Sequence, residues 1–87
     1  MNDVIKVSSH SSVSSVAGAV AGVIREKGRA AIQIIGAGAL NQAVKAVIIA
    51  RGYLAPEGKD IVMIPSFQDT SINGDERTAI SLQIEVR

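Results

Sequence analysis

The sequence predicts an α/β two-layer sandwich with the element order β-α-β-α-β-β, a mixed four-stranded sheet carrying two helices on one face. Three observations predict it. Apolar residues recur at three- and four-residue steps in two stretches, 13–27 and 39–53, and a short apolar run of strand character precedes each. An Asn73-Gly74 pair separates two further apolar segments, and both residues tolerate the positive φ that a two-residue hairpin turn requires. The chain of 87 residues fits a single domain, 1–87, whose helices and sheet must bury their apolar sides on one another.

Each element has a local reason. Val4–Val7 is a short strand, with Ile5 and Val7 facing one way and Val4 and Lys6 the other. The polar run Ser8-Ser9-His10-Ser11-Ser12 follows, and Ser11 or Ser12 is placed to cap the next helix by accepting from a free backbone N–H. That helix is expected over Val13–Lys27, with Val13, Val16, Val20, Val23 and Ile24 forming its apolar stripe. Gly28 supplies a left-handed stop, and Arg25 and Lys27 sit favourably in the last turn against the helix dipole.

A second strand is expected over 29–35, apolar apart from Gln33 and its first residue, as an interior strand should be. Gly36-Ala37-Gly38 makes the turn into a second helix, 39–53. Pro56, Glu57 and Gly58 read as a loop, and 61–67 as a third strand whose Pro65 implies an edge position or a bulge. After the hairpin, 78–86 returns as a fourth strand, with Ile80, Leu82, Ile84 and Val86 inward and Ala79, Ser81, Gln83 and Glu85 outward. The βαβ connections should be right-handed, which puts both helices on the same face.

The helices also carry small residues in lines: Ala39, Ala43, Ala46 and Ala50 on the second, and Ala17, Gly18, Ala21 and Gly22 on the first. These spacings predict close packing of the two helices. Val44, Val47, Ile48 and Ile49 surround more of the second helix than one sheet can cover, which favours a homodimer or higher homo-oligomer.

Composition excludes several classes of function. The formal net charge is +1, from nine Lys and Arg against eight Asp and Glu, so this is no polycation that binds nucleic acid by charge alone. Without cysteine there is no thiol catalysis, disulfide or cysteine metal site. Met1-Asn2-Asp3 does not begin a basic leader, and no apolar run approaches the ~20 residues that span a bilayer, so a cytoplasmic protein without membrane contact is expected.

The one stretch with the look of a chemical site is 36–41, Gly36-Ala37-Gly38-Ala39-Leu40-Asn41, which brings backbone N–H groups and an amide to a helix start. It is half of a dinucleotide fingerprint: the third glycine is missing, and no acidic residue ends a following strand, so no cofactor is expected. A tight strand-to-helix turn, with or without a contact to phosphate or a partner, accounts for it. His10, the single histidine, has no acidic residue near it in sequence and reads as a surface or capping residue rather than a catalytic base or metal ligand. Asp69, Asp75 and Glu76 read as solvated charges that blunt a sheet edge. Lys6, Arg25, Lys27, Arg29, Lys45 and Arg51 read as scattered cations, with Glu26 interrupting the only close group. Tyr53 and Phe67 are the only aromatics; both are expected to be partly buried, which argues against recognition of single strands by stacked bases.

Several segments together resemble the stage V sporulation protein S family: Ile5-Lys6-Val7-Ser8, Ser15-Val16-Ala17-Gly18-Ala19, the long run 35–46 (IGAGALNQAVKA), Ile49-Ala50-Arg51-Gly52-Tyr53, Ala55-Pro56 and the run 74–80 (GDERTAI). The resemblance covers nearly the whole chain and implies a small, bacterial, cytoplasmic, non-catalytic regulator of spore development. More distantly, the layout is similar to Alba, the archaeal chromatin protein, and to the C-terminal domain of translation initiation factor three. The Alba resemblance implies a dimer with DNA or RNA lying across Ser9, His10 and Ser11, the turn at Gly36, Gly38, Asn41 and Gln42, and the hairpin arm. Where Alba carries paired lysines in its first loop, this chain has Ser9 and His10; where Alba has a lysine on its second helix, this chain has Gln42. The arm tip is acidic, with Arg77 its one cation, and acidic groups there repel phosphate. What remains for nucleic acid is backbone N–H, Ser, Asn and Gln, with Lys45 and Arg77 adding charge. A protein–protein adaptor that uses the same uncharged surface is the alternative.

Overall fold

The structure, a computed structural model, describes residues 4–87, without the side chains of Thr70, Ile72 and Arg77. The reading of the first three residues lies outside that range. The elements are β1 (Val4–Val7), α1 (Val13–Lys27), β2 (Arg29–Ile34), α2 (Ala39–Leu54), a 3₁₀ turn (Ala55–Glu57), β3 (Ile61–Ile72) and β4 (Asp75–Val86). This is the expected α/β order, and the strands form one mixed sheet in the order β1-β2-β4-β3. β1 runs parallel to β2, while β4 is antiparallel to both of its neighbours.

The first helix forms where its caps dictate. Ser12 is the N-cap, and its hydroxyl accepts from the Ser15 N–H at 3.3 Å. Gly28 is left-handed, φ +79°, and its N–H closes the helix on the Ile24 carbonyl at 2.8 Å. The second strand stops one residue short of expectation. Ile35 leaves the sheet with its side chain exposed, although its N–H still reaches the Val7 carbonyl at 2.9 Å. Leu54 extends α2 by one residue, and the expected loop at Pro56 is a 3₁₀ turn closed by left-handed Gly58.

The largest departure is the hairpin. Both strands run far past the expected 61–67 and 78–86, to the two turn residues themselves: Ile72 pairs with Asp75 across Asn73 (φ +52°) and Gly74 (φ +81°). A turn this tight leaves no slack, so the ladder continues through polar residues 68–71 and 75–78 although the apolar alternation has faded there. The register is unbroken from Ile61↔Val86 to Ile72↔Asp75, so Pro65 marks the edge position of β3 and not a bulge.

The core lies between one sheet face and the helices. Val7, Ile32, Leu82 and Ile84 meet Val20, Ile24 and Leu54, all at most 1% exposed. Each such aliphatic side chain contributes about 1.5–3 kcal/mol by leaving water. Ala39, Ala43, Ala46 and Ala50 are fully buried, as are Ala17 and Ala21, and the helices approach to within 8 Å between Cα atoms. Gly18 and Gly22 are exposed with nothing near their Cβ positions, so they take no part in that contact. Val86 is exposed despite its inward register, and Ala79 is buried despite its outward one. Among the described residues no helix is long and apolar enough to cross a membrane.

Candidate functional site

The ends of β1 and β2 lie side by side, because Val7 pairs with Ile34 in parallel register. The loop after β1 and the turn after β2 therefore emerge together. The first loop is knit by its own serines: the Ser8 N–H donates to Ser11 Oγ at 2.9 Å, the Ser11 N–H to the Ser8 carbonyl at 3.1 Å, and the His10 N–H to Ser8 Oγ at 3.3 Å. The turn is built on Gly36, whose φ of +90° strains any side chain, and on Gly38. A Cβ on Gly38 would lie 2.9 Å from that of Ser9, so glycine is what allows the two segments to touch. Gln42, on the first turns of α2, donates from Nε2 to the Ser11 carbonyl at 3.2 Å and fastens the loop to the helix.

The expected site residues thus divide. Ser11 and Gln42 brace the site, and Gly36 and Gly38 shape it. Ser9, His10, Asn41 and Lys45 are exposed; Asn41 and Lys45 stand four residues apart on the outward stripe of α2. The start of α2 is open to an anion. Gly38 offers no side-chain cap and no acidic residue occupies the first turn; the Ala39 N–H is taken by the Gly36 carbonyl at 3.3 Å, and no carboxylate offsets the positive end of the helix. The arm brings Arg77 only to its outer part: Ile80 pairs with the end of β2, and Arg77 lies three residues further out, about 10 Å along the strand.

Charge is handled differently at the opposite end, where both helices finish. Arg25 donates from Nε and Nη2 to Glu57, at 2.9 and 2.7 Å to Oε2, and Lys59 Nζ lies 3.9 Å from Glu57 Oε1. Asp60 takes both Arg51 and Arg87. The hydrogen bond from Arg25 holds the Glu57 carboxyl below its ordinary range, with Lys59 assisting; Arg87 first and Arg51 second do the same for Asp60. Two of the cations read as scattered, Arg25 and Arg51, are in fact paired here.

Sequence reasoning missed Phe67. It is 82% exposed, not partly buried, and Tyr53 is 46% exposed. Phe67 does face the helix side of the sheet, but a 16-residue helix is ~24 Å long and a 12-residue strand ~40 Å, so α2 cannot cover the arm. The signal for that mismatch lies in strand ends that run past the apolar alternation to the Asn73-Gly74 turn.

A family model described as "Stage V sporulation protein S (SpoVS)" matches residues 3–87.

Proposed function

The chain belongs to the stage V sporulation protein S family and is a sporulation-related protein, and from that premise we propose that it is a non-catalytic cytoplasmic regulator that binds nucleic acid at the junction of its first loop and the start of α2. The observation that carries this reading is the open, acid-free N-terminus of α2, braced by Gly38 against Ser9 and by Gln42 against Ser11. Backbone N–H groups there receive phosphate, Asn41 and Ser9 add hydrogen bonds, and Lys45 adds one positive charge a turn further on. His10 flanks this surface, and Arg77 is the nearest cation of the arm, further out along β4. The layout similar to Alba supports the same face. Fluorescence anisotropy with labelled single-stranded and duplex oligonucleotides at two salt concentrations tests it. The double variant Asn41→Ala, Lys45→Ala is expected to weaken binding and to lower the slope of log affinity against log salt by about one. Unchanged affinity and slope would remove this site.

A protein partner is the second reading, favoured by the absence of Asp, Glu, Lys and Arg from 8–12 and 35–42. A complex indifferent to salt would support it. We also propose that two copies pair through the outer stripe of α2, where Ile48 is 63% exposed beyond Lys45. Sedimentation equilibrium of Ile48→Glu is expected to show a monomer; an unchanged mass excludes that face.

A further inference from the structure

The inner face of the hairpin arm carries an apolar groove of about 340 Å³ lined by Pro65, Ser66, Phe67 and Ile80. It lies at the small end of the usual range of ligand clefts, ~300–1,000 Å³. We propose that Phe67 is a stacking platform for an unpaired nucleobase, which makes the ligand class single-stranded nucleic acid; this rests on the proposed nucleic-acid binding and narrows it.

Position supports the assignment. Val7, Ile34, Ile80 and Phe67 are successive cross-strand partners, one row on one face of all four strands. Phe67 is therefore two strand spacings, about 10 Å, from the residue that ends β2 two positions before Gly36. A strand whose phosphate meets the start of α2 has its neighbouring base within reach of the ring. Charge supports it too. Asp69, Asp75 and Glu76 are exposed along the arm and disfavour phosphate there, so the part of a nucleotide that lies on the arm is its uncharged face. Aromatic stacking takes any base, but only one whose face is free, and duplex bases have none to offer. Area argues against a second copy of this chain as the occupant. One phenylalanine brings ~150–250 Å², and with a proline and a half-buried isoleucine the patch stays well below the ~800 Å² per partner of a stable interface.

The chain has no tryptophan, so Phe67→Trp introduces a single reporter. Its emission is expected to be quenched by unlabelled single-stranded oligonucleotides and not by a duplex. Phe67→Ala is expected to lose roughly 5- to 150-fold in affinity for single strands, the range that ~1–3 kcal/mol per stacked base gives. Phe67→Leu, which keeps the apolar bulk without the π face, is expected to behave like the alanine variant. Circular dichroism of each variant should match the parent, because the side chain is exposed. An unquenched tryptophan with undiminished single-strand binding by Phe67→Ala overturns the stacking role while leaving the Asn41 and Lys45 surface in place. A change in sedimenting mass on Phe67→Ala, with affinity intact, overturns it in favour of self-association. A parent protein that binds no oligonucleotide at low salt removes both the stacking role and the reading beneath it.

Discussion

The two ends of this molecule handle polar chemistry in opposite ways. Where the helices finish, Arg25, Lys59, Arg51 and Arg87 converge on Glu57 and Asp60 and are matched among themselves. Where α2 begins, the converging segments hold no acidic residue, no lysine and no arginine before Lys45; serine, glycine and amide groups do the bracing. Cations already paired with carboxylates have little attraction left for a phosphate. A helix start without a carboxylate, by contrast, keeps its field for an incoming anion. The proposed location of binding therefore rests on where carboxylates are absent, not on where charge is densest.

The largest test of this contrast removes packing at the paired end. Leu54, fully buried as α2 closes onto the 3₁₀ turn, is expected to cost about 2–5 kcal/mol on Leu54→Ala, read by chemical denaturation. Next is the open end. Gly38→Ala must push the Ser9 loop away, with an expected loss of about 1–3 kcal/mol and, in the anisotropy assay, weaker binding. If Gly38→Ala leaves both stability and affinity intact, the two segments are not held together as described. On the arm, Phe67→Ser is expected to change stability by no more than about 0.5 kcal/mol, because little of the ring is buried. The smallest effect at neutral pH belongs to the ion pairs, whose side chains are each at least 35% exposed. Their signature is in acid. Glu57 and Asp60 are held below their ordinary values, so their contribution is present above the carboxylate range, ~3.9–4.3, and is lost as pH falls through the lowered values. Glu57→Gln with Asp60→Asn is expected to flatten the acid limb of a stability-against-pH curve; an identical limb in the variant would show that these pairs contribute nothing.

The same contrast explains what was legible in the sequence. The first helix could be placed to the residue, since Ser12, Gly28 and a regular valine stripe act within a few positions of where they sit. The glycine turn could be placed between β2 and α2 because its residue types are unusual together. Contacts across long separations left no local trace: Arg25 and Glu57 are 32 positions apart, and Gln42 and Ser11 are 31. The arm departs from expectation for another reason. Alternation of apolar and polar residues reports burial, and beyond Phe67 the strands are paired without being covered, so hydrogen bonding continued where the pattern had ended.

The sheet order has a consequence for how the protein comes into being. β4 follows β1, β2 and β3 in the chain, yet it is the strand that joins β2 to β3. Until residues 75–86 leave the ribosome, β1 and β2 can form only a two-stranded parallel ribbon, and β3 has no partner at all. Every contact that completes the sheet must therefore be made after translation of β4, and the nascent chain carries the bare edges of β2 and β3 until then.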